Sequence, residues 1–322
     1  MLPKIEPSSL WNARHQPLVI VGPTATGKTA IAIALAAQIN GEIINADSVQ
    51  VYRGLNIGAA KPTLREREKI TFHLLDVVDP DENFTVAAWK AQAEAAIEDI
   101  FRRGKQPIIC GGTGLYIRAL LDNWSMAATP ADPQIRDGLQ AELCVIGAQA
   151  LHTRLAHVDP VTAARLHPND TVRILRALEV YMVKGTPISV YQAEDRINRP
   201  PRQAIRFGLT LSRPALYERI DRRVNVMLQS GLEAEVRALL AKGYSPALSS
   251  LRSLGYSEMV DHILGNMEND EAVEAIKLHT RQFAKRQQTW FNADKSITWL
   301  ESVDKSPDQV AAQIKESAQS AI

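Results

Sequence analysis

Gly22-Pro23-Thr24-Ala25-Thr26-Gly27-Lys28-Thr29 sets two glycines four residues apart and follows the second with Lys and Thr, the spacing of a P-loop. The glycines let the backbone curl so that its N–H groups point at phosphate oxygens. Lys28 adds a mobile positive charge, and the Thr29 hydroxyl suits Mg²⁺, a cation that prefers oxygen ligands. Such a cradle selects a diphosphate or triphosphate ligand without saying which atom is attacked. Kinase, NTPase and transferase with a diphosphate leaving group all stay open. A carboxylate, Asp47, follows the apolar run Ile43-Ile44 and faces the crevice of the P-loop if that run is a parallel strand, so it is a candidate general base. The plainer alternative for Asp47 is a turn or helix cap. A P-loop hydrolase carries an acid after a later strand. Here Pro107-Ile108-Ile109-Cys110 runs instead into Gly111-Gly112-Thr113-Gly114, which weighs against an ATPase.

These residues need elements to hold them. Leu18 to Val21 reads as a buried strand, Ala30 to Gln38 as a helix stopped by Asn40-Gly41, and Glu42 to Asn45 as a second strand. Val86 to Arg103 reads as an amphipathic helix and Pro107 to Cys110 as a further strand. Strand and helix in alternation predict an α/β fold, a P-loop NTPase-like parallel sheet flanked by helices. After Asp122 come helical segments, Pro133 to Leu155 and Pro160 to Lys184, and then a strand at Ile205 to Leu211 and a helix at Ala215 to Gln229. The expected organisation is a catalytic core over 17–125 and 203–300 with a helical C-terminal part, a mainly helical inserted domain over 126–202, and a tail over 301–322, weakly helical or loose.

Composition sets limits on partners. The 322 residues are 45% hydrophobic and 23% charged with a formal net charge of +1, so binding to a polyanion must come from local clustering. Arg165 to Arg223 holds twelve Lys or Arg against six Asp or Glu. No apolar run is long enough for a bilayer, Met1 to Pro17 lacks signal-peptide character, and Cys110 and Cys144 form no spaced pair. These features lead us to expect a soluble cytoplasmic protein without disulfides. His73, His152, His157, His167 and His279 show no metal-ligand spacing. Packing is expected for Trp89 and Trp124, while Trp290, beside Lys285-Arg286, is better placed to stack on a base.

Beyond the loop, Asp47-Ser48-Val49-Gln50-Val51-Tyr52-Arg53, Gly58-Ala59-Ala60-Lys61-Pro62 and Gly111 to Tyr116 recur in the order and spacing of the bacterial tRNA dimethylallyltransferase family, which this chain closely resembles. The resemblance continues through His167-Pro168-Asn169-Asp170, Arg176-Ala177-Leu178-Glu179, Arg219 to Leu228, Leu254-Gly255-Tyr256 and Thr280-Arg281-Gln282, and covers Val19 to about Trp299. It implies an enzyme that moves the dimethylallyl group of dimethylallyl diphosphate to N6 of the adenosine 3′ of the anticodon, position 37 of tRNA, with Mg²⁺, releasing diphosphate. By that resemblance Asp47 is the base, Arg223 contacts the diphosphate, Thr113 orients one or the other, Gly22, Pro23, Thr24, Ala25, Thr26, Gly27, Lys28 and Thr29 hold the donor, and Thr29 carries the metal. It places tRNA contacts at Asp47, Ser48, Val49 and Gln50, at Thr113 and Arg136, and at Val172, Arg173, Ile174, Leu175 and Arg176. Further contacts are implied at Arg252, Ser253, Leu254, Gly255, Tyr256 and Ser257, and at Arg281, Lys285, Arg286, Gln287, Gln288, Thr289, Trp290, Phe291 and Asn292. Lys277, Arg281 and Lys285, four residues apart, would share a phosphate-facing helix side. The implied partners are the tRNA anticodon stem-loop and dimethylallyl diphosphate, with no membrane and a single chain as the working form.

The sequence departs from the family in two places. Phe72 stands where members often carry a histidine before His73, so neither residue is given a catalytic role, and the eukaryotic C-terminal zinc finger is missing. A prenyltransferase acting on free adenine nucleotides would share the loop and Asp47 but has no use for a basic helical insertion. A small-molecule kinase would consume ATP and ignore an allylic donor.

Overall fold

A computed structural model describes residues 15–125 and 132–320. The expected start of the insertion at 126, most of the N-terminal stretch read for targeting and the last two residues of the expected tail lie outside the described residues. Two compact units are present. One comprises the chain up to Leu120 together with Gln203 onward, and the other spans Leu121–Arg202.

The first unit is built on six parallel strands: β1 (Leu18–Val21), β2 (Gly41–Asn45), β3 (Phe72–His73), β4 (Gln106–Cys110), β5 (Ile205–Thr210) and β6 (Ile297–Glu301). Their order across the sheet is β3-β2-β4-β1-β5-β6. Strands β1, β2 and β4 are almost wholly buried, with apolar centres, because both faces of a parallel sheet are covered. On one face lie α1 (Lys28–Ile39) and, at the end of the chain, α13 (Pro307–Gln319). Between them in sequence come α2 (Leu64–Lys69), α3 (Val86–Arg102), α4 (Gly114–Leu121), the four helices α5–α8 of the second unit, α9 (Arg213–Gln229), α10 (Leu232–Ala241), α11 (Tyr256–Ile263) and α12 (Asn269–Asn292). Helix α3 packs on β2 and β4, with Trp89 fully buried, stacked on Tyr116 at 4.6 Å and donating Nε1–H to the Asn45 carbonyl at 2.9 Å. Trp89 is therefore a packing residue, as its position suggested. No helix among the described residues is long and apolar enough to cross a membrane.

The chain leaves β1 toward β2 on one side and returns to β5 on the other, so the turn after β1 sits where the winding reverses, the place where open α/β sheets bind ligands. Several elements were not legible in advance. Glu42 in β2 accepts from Arg103, from Lys105 at 2.7 Å and from His73 in β3 at 2.7 Å, which gives His73 a structural partner. The Arg103 guanidinium first, then Lys105 and His73, hold the Glu42 carboxyl far below the usual carboxylate range. Strand β6 pairs with β5, and the segment over 301–322, expected to be weakly helical or loose, holds a regular helix, α13, which starts with a capping box at Ser306. Val310, Ala311, Ile314 and Ala318 of α13 are buried against Ile31, Ala32, Leu35 and Ala36 of α1.

The described part of the second unit is helical: α5 (Pro133–Val158), kinked at Gly147 where the backbone leaves helical geometry, α6 (Pro160–Ala163), α7 (Thr171–Lys184) and α8 (Ile188–Asn198). The long helix read over Pro160 to Lys184 is broken into α6 and α7, because Asp159 caps α6 through the Thr162 N–H and His167 to Asp170 form a turn before α7. Leu139, Leu151, Leu155, Ile174, Leu175 and Leu178 form its core.

Removing methylenes at a fully buried site leaves a cavity, so Ile314→Ala should destabilise the α/β unit by about 2–5 kcal/mol in denaturant unfolding. A loss below about 0.5 kcal/mol would mean that α13 is not part of the core.

Candidate active site

The P-loop follows β1 and is tightly folded. Gly22 has φ 139°, and a Cβ there would lie 2.5 Å from the Leu209 carbonyl oxygen of β5, so only glycine lets the loop pass this close to its neighbour. The Pro23 carbonyl accepts from the buried Thr26 hydroxyl at 2.8 Å and from Lys28 Nζ at 2.7 Å. The Ser302 hydroxyl, just past β6, donates to the Thr26 carbonyl at 3.3 Å. Helix α1 starts from Gly27 with no side-chain cap, which leaves its first amides and the positive end of its dipole directed at the loop. Thr29 lies in that first turn.

Three charged groups from separate elements meet at this edge. Burial pushes the Lys28 ammonium down to about 8, Arg223 of α9 adds to the fall, and Asp47 opposes it. Burial also lowers Arg223, with Asp47 again opposing, and a guanidinium keeps its charge over any working pH. The Cys110 thiol is pushed up to about 12 by burial and stays neutral. Two cations and one carboxylate thus share the carboxyl edge of β1, β2 and β4, where a polyphosphate would be drawn in with its charge neutralised.

Asp47 is fixed by its own turn. Its Oδ1 accepts from the N–H groups of Val49 at 2.9 Å and Gln50 at 3.3 Å, while its own N–H donates to Asn45 Oδ1 at 3.2 Å. The turn role and the base role are therefore compatible: Oδ1 holds the loop and Oδ2 takes no hydrogen bond among the described residues. Thr113 makes no hydrogen bond to the Asp47 carboxylate among the described residues. Its hydroxyl accepts from the Ser48 N–H at 2.9 Å and donates to the Ser48 hydroxyl at 3.3 Å, so it ties the Asp47 turn to the turn after β4. Gln50 spends its amide donors on the Ala59 and Ala60 carbonyls at 3.0 and 3.2 Å.

The IPP transferase family profile matches residues 50–294. The chain is 49% identical to a tRNA dimethylallyltransferase of Geobacter metallireducens over 88% of its own length and 92% of that protein, and 48% identical to one of Pelotomaculum thermopropionicum over 90% and 91%. This chain belongs to the IPP transferase family. Among solved structures, the tRNA isopentenylpyrophosphate transferase of Bacillus halodurans superposes on it with a TM-score of 0.69 at 37% identity, covering 95% of this chain and 97% of that one. A eukaryotic dimethylallyltransferase acting on tRNA gives 0.78 at 29% identity, covering 94% and 79%.

Within this IPP transferase, the residues expected to touch RNA divide sharply by exposure. Tyr256 is fully buried, its hydroxyl donating to Glu235 at 2.6 Å and accepting from the Ala59 N–H at 3.2 Å, so its ring and hydroxyl are spent inside the protein. Phe291, Ile174 and Leu175 are likewise core side chains. Gln287 is buried between the P-loop and the turn after β4. Gly255, Leu254, Ser253 and Ser257 form or flank the start of α11, and the neighbouring exposed Arg252 pairs with Asp261 at 3.3 Å. The proposed cationic row on α12 is interrupted: Lys277 pairs with Glu274 at 2.7 Å, and Arg281 with Asp221 at 2.6 Å. Lys285 and Arg286 are exposed and make no ion pair among the described residues. With Gln282, Thr289 and Trp290 they line an open groove of about 460 Å³. Gln288 bonds Asn292 at 2.8 Å.

In the helical unit, Arg176 reaches the buried Glu179 carboxylate at 2.9 Å and Arg136 lies 3.5 Å from it, while Arg173 pairs with Asp170 at 3.0 Å and Val172 is exposed. Glu179 was not singled out from the sequence; its place between two arginines needs the fold. Part of the basic surplus is structural, since Arg206 pairs with Asp294 at 2.7 Å.

A bound diphosphate will hold the Lys28 proton that the free protein sheds above pH 8, so binding should take up protons and weaken as the pH rises, by up to about tenfold per unit. Calorimetric titration of inorganic diphosphate at pH 8.5 in buffers of different ionisation enthalpy reads this uptake. Lys28→Arg, which keeps its charge throughout, should lack the Lys28 share; equal uptake in both proteins would contradict the assignment.

Proposed function

We propose that this protein is a tRNA dimethylallyltransferase that joins the dimethylallyl group of dimethylallyl diphosphate to N6 of the adenosine 3′ of the anticodon. The observation that carries the reading is the meeting of Asp47 with Lys28 and Arg223 at the P-loop, in a chain whose relatives carry that activity. The loop amides, Lys28 and Arg223 hold the donor's diphosphate. The bond from the allylic C1 to oxygen breaks, its electron pair leaves with diphosphate, and the two cations neutralise the growing charge. The N6 lone pair forms the new bond to C1. Because that lone pair is delocalised into the adenine ring, attack is helped when Asp47 Oδ2 accepts the departing N6 proton.

Thr29 is the residue that would hold Mg²⁺. No group of three or more acidic, His or Cys side chains among the described residues could cage a metal, and Mg²⁺ is commonly held by one or two protein oxygens plus ligand phosphates and water. When bound, it would offset charge on the diphosphate oxygens. Arg136, Arg173 and Arg176 of the helical unit, and Lys285, Arg286 and Trp290 of α12, suit the phosphates and bases of an anticodon stem-loop. One chain supplies Lys28, Asp47 and Arg223, so a monomer working in the cytoplasm suffices.

Incubation with dimethylallyl diphosphate, Mg²⁺ and either unmodified tRNA or free AMP, followed by mass analysis of the nucleosides, should give N6-dimethylallyl-adenosine from tRNA alone. Product mainly from AMP would move the function to free nucleotides, and none from either would end the prenyltransferase reading. Asp47→Asn retains the Oδ1 acceptor of the turn but not the base. It should lower kcat by about 10²–10⁴ with tRNA affinity nearly unchanged; loss of tRNA affinity in step with kcat would remove Asp47 from the role of base.

A further inference from the structure

Gln287 lies near the end of α12, a helix whose neighbouring residues Lys285, Arg286 and Trp290 face an open groove, yet its own side chain is only 6% exposed. Its carboxamide is used from both ends. Oε1 accepts from the Thr24 N–H of the P-loop at 2.8 Å, and Nε2 donates to the Gly112 carbonyl of the turn after β4 at 3.0 Å. The fit is close: a Cβ on residue 112 would stand 2.2 Å from Gln287 Nε2, so glycine there is what allows the amide to enter. One helical turn on, the Trp290 indole lies against Gly114, and Arg118 sits 5.9 Å over its ring.

An amide on the P-loop will meet a phosphate oxygen only if the loop is held in one curl. Thr24 and Ala25 form its middle, and Ala25 adopts φ 65°, a conformation an alanine keeps only when its surroundings enforce it. Besides the bonds that Pro23 and Thr26 make within the loop, the Ser302 contact and the packing of Ala25 against Leu216, Ile220 and Ala284, Gln287 is the support that hydrogen-bonds the middle limb of the loop. It also joins that limb to the turn carrying Thr113, and so to Ser48 and the Asp47 turn.

We infer that Gln287 is a positioning residue for the donor cradle, locking the P-loop to the Gly112–Thr113 turn, and is not a contact to tRNA. The inference deepens the proposed function and rests on it only for the identity of the donor; the cradle itself can be probed with inorganic diphosphate. Glu in place of Gln would keep an acceptor for the Thr24 N–H but set a carboxylate oxygen against the Gly112 carbonyl and a negative charge beside the diphosphate.

The test compares the full-length protein with Gln287→Ala and Gln287→Glu. Three quantities are measured: the Kd for inorganic diphosphate, the Kd for an unmodified anticodon stem-loop RNA, and kcat with KM for dimethylallyl diphosphate. Losing both hydrogen bonds should raise the diphosphate Kd and the donor KM about tenfold in Gln287→Ala. Gln287→Glu should raise them further, while RNA affinity stays within about twofold and kcat falls less than the donor KM rises. A rise in the RNA Kd with diphosphate binding unchanged would overturn the inference in favour of RNA contact. Parallel loss of both affinities with a lowered melting temperature would overturn it in favour of general packing. If diphosphate binding responds as expected but no prenyl transfer occurs even in the wild type, the cradle assignment survives and the proposed function does not.

Discussion

An ammonium drawn partly out of water gives up its proton more readily unless something nearby is negative. Lys28 is in that position, pressed by burial and by Arg223 and relieved by Asp47, at the edge where three central strands end. The arrangement is poised to accept an anion: two cations and one carboxylate leave a surplus of positive charge in a half-buried site, where electrostatic interactions are stronger than in open water. The sheet order, the reversal of winding at β1 and the return of the chain through α9 all serve to bring these three groups to one edge. Without the crossover that sends β5 to the far side of β1, Arg223 would have no route to the crevice.

The second demand is mechanical. A P-loop is a run of backbone without regular pairing, so its shape must be imposed by neighbours. Here they are the Leu209 strand behind Gly22, the Ser302 hydroxyl beneath Thr26 and the Gln287 amide at Thr24. Two of the three come from the last quarter of the chain. The helix bearing Gln287 also bears Lys285, Arg286 and Trp290 on an exposed side, so one rigid element is both a wall of the donor cradle and an exposed cationic surface.

How much of this could be read in advance depended on sequence distance. Leu18 to Thr29 could be read directly, because strand, loop and helix are contiguous and the glycine spacing has a mechanical reason. Asp47 followed from its place after an apolar run. Arg223 and most of the RNA-facing positions came from family resemblance, and exposure then separated Lys285 and Arg286 from Tyr256 and Phe291, which the resemblance alone could not do. Gln287 could not have been assigned its partners by local pattern, since they lie 263 and 175 residues away. The last helix reads only as weakly helical or loose for another reason. Its core face is Val310, Ala311, Ile314 and Ala318, half of it alanine, set among Gln, Ser and Lys, and small side chains give a weak periodic signal even when they pack fully.

That last helix bears on the order in which the protein comes into being. Synthesis runs from the amino end, so the glycine-rich loop and α1 are made well before β6, Ser302 and α13, which close over them. The apolar face of α1 that α13 covers therefore stays unsheltered through the whole interval between the two, and the nascent chain carries an unfinished cradle until Gln287 and Ser302 have emerged.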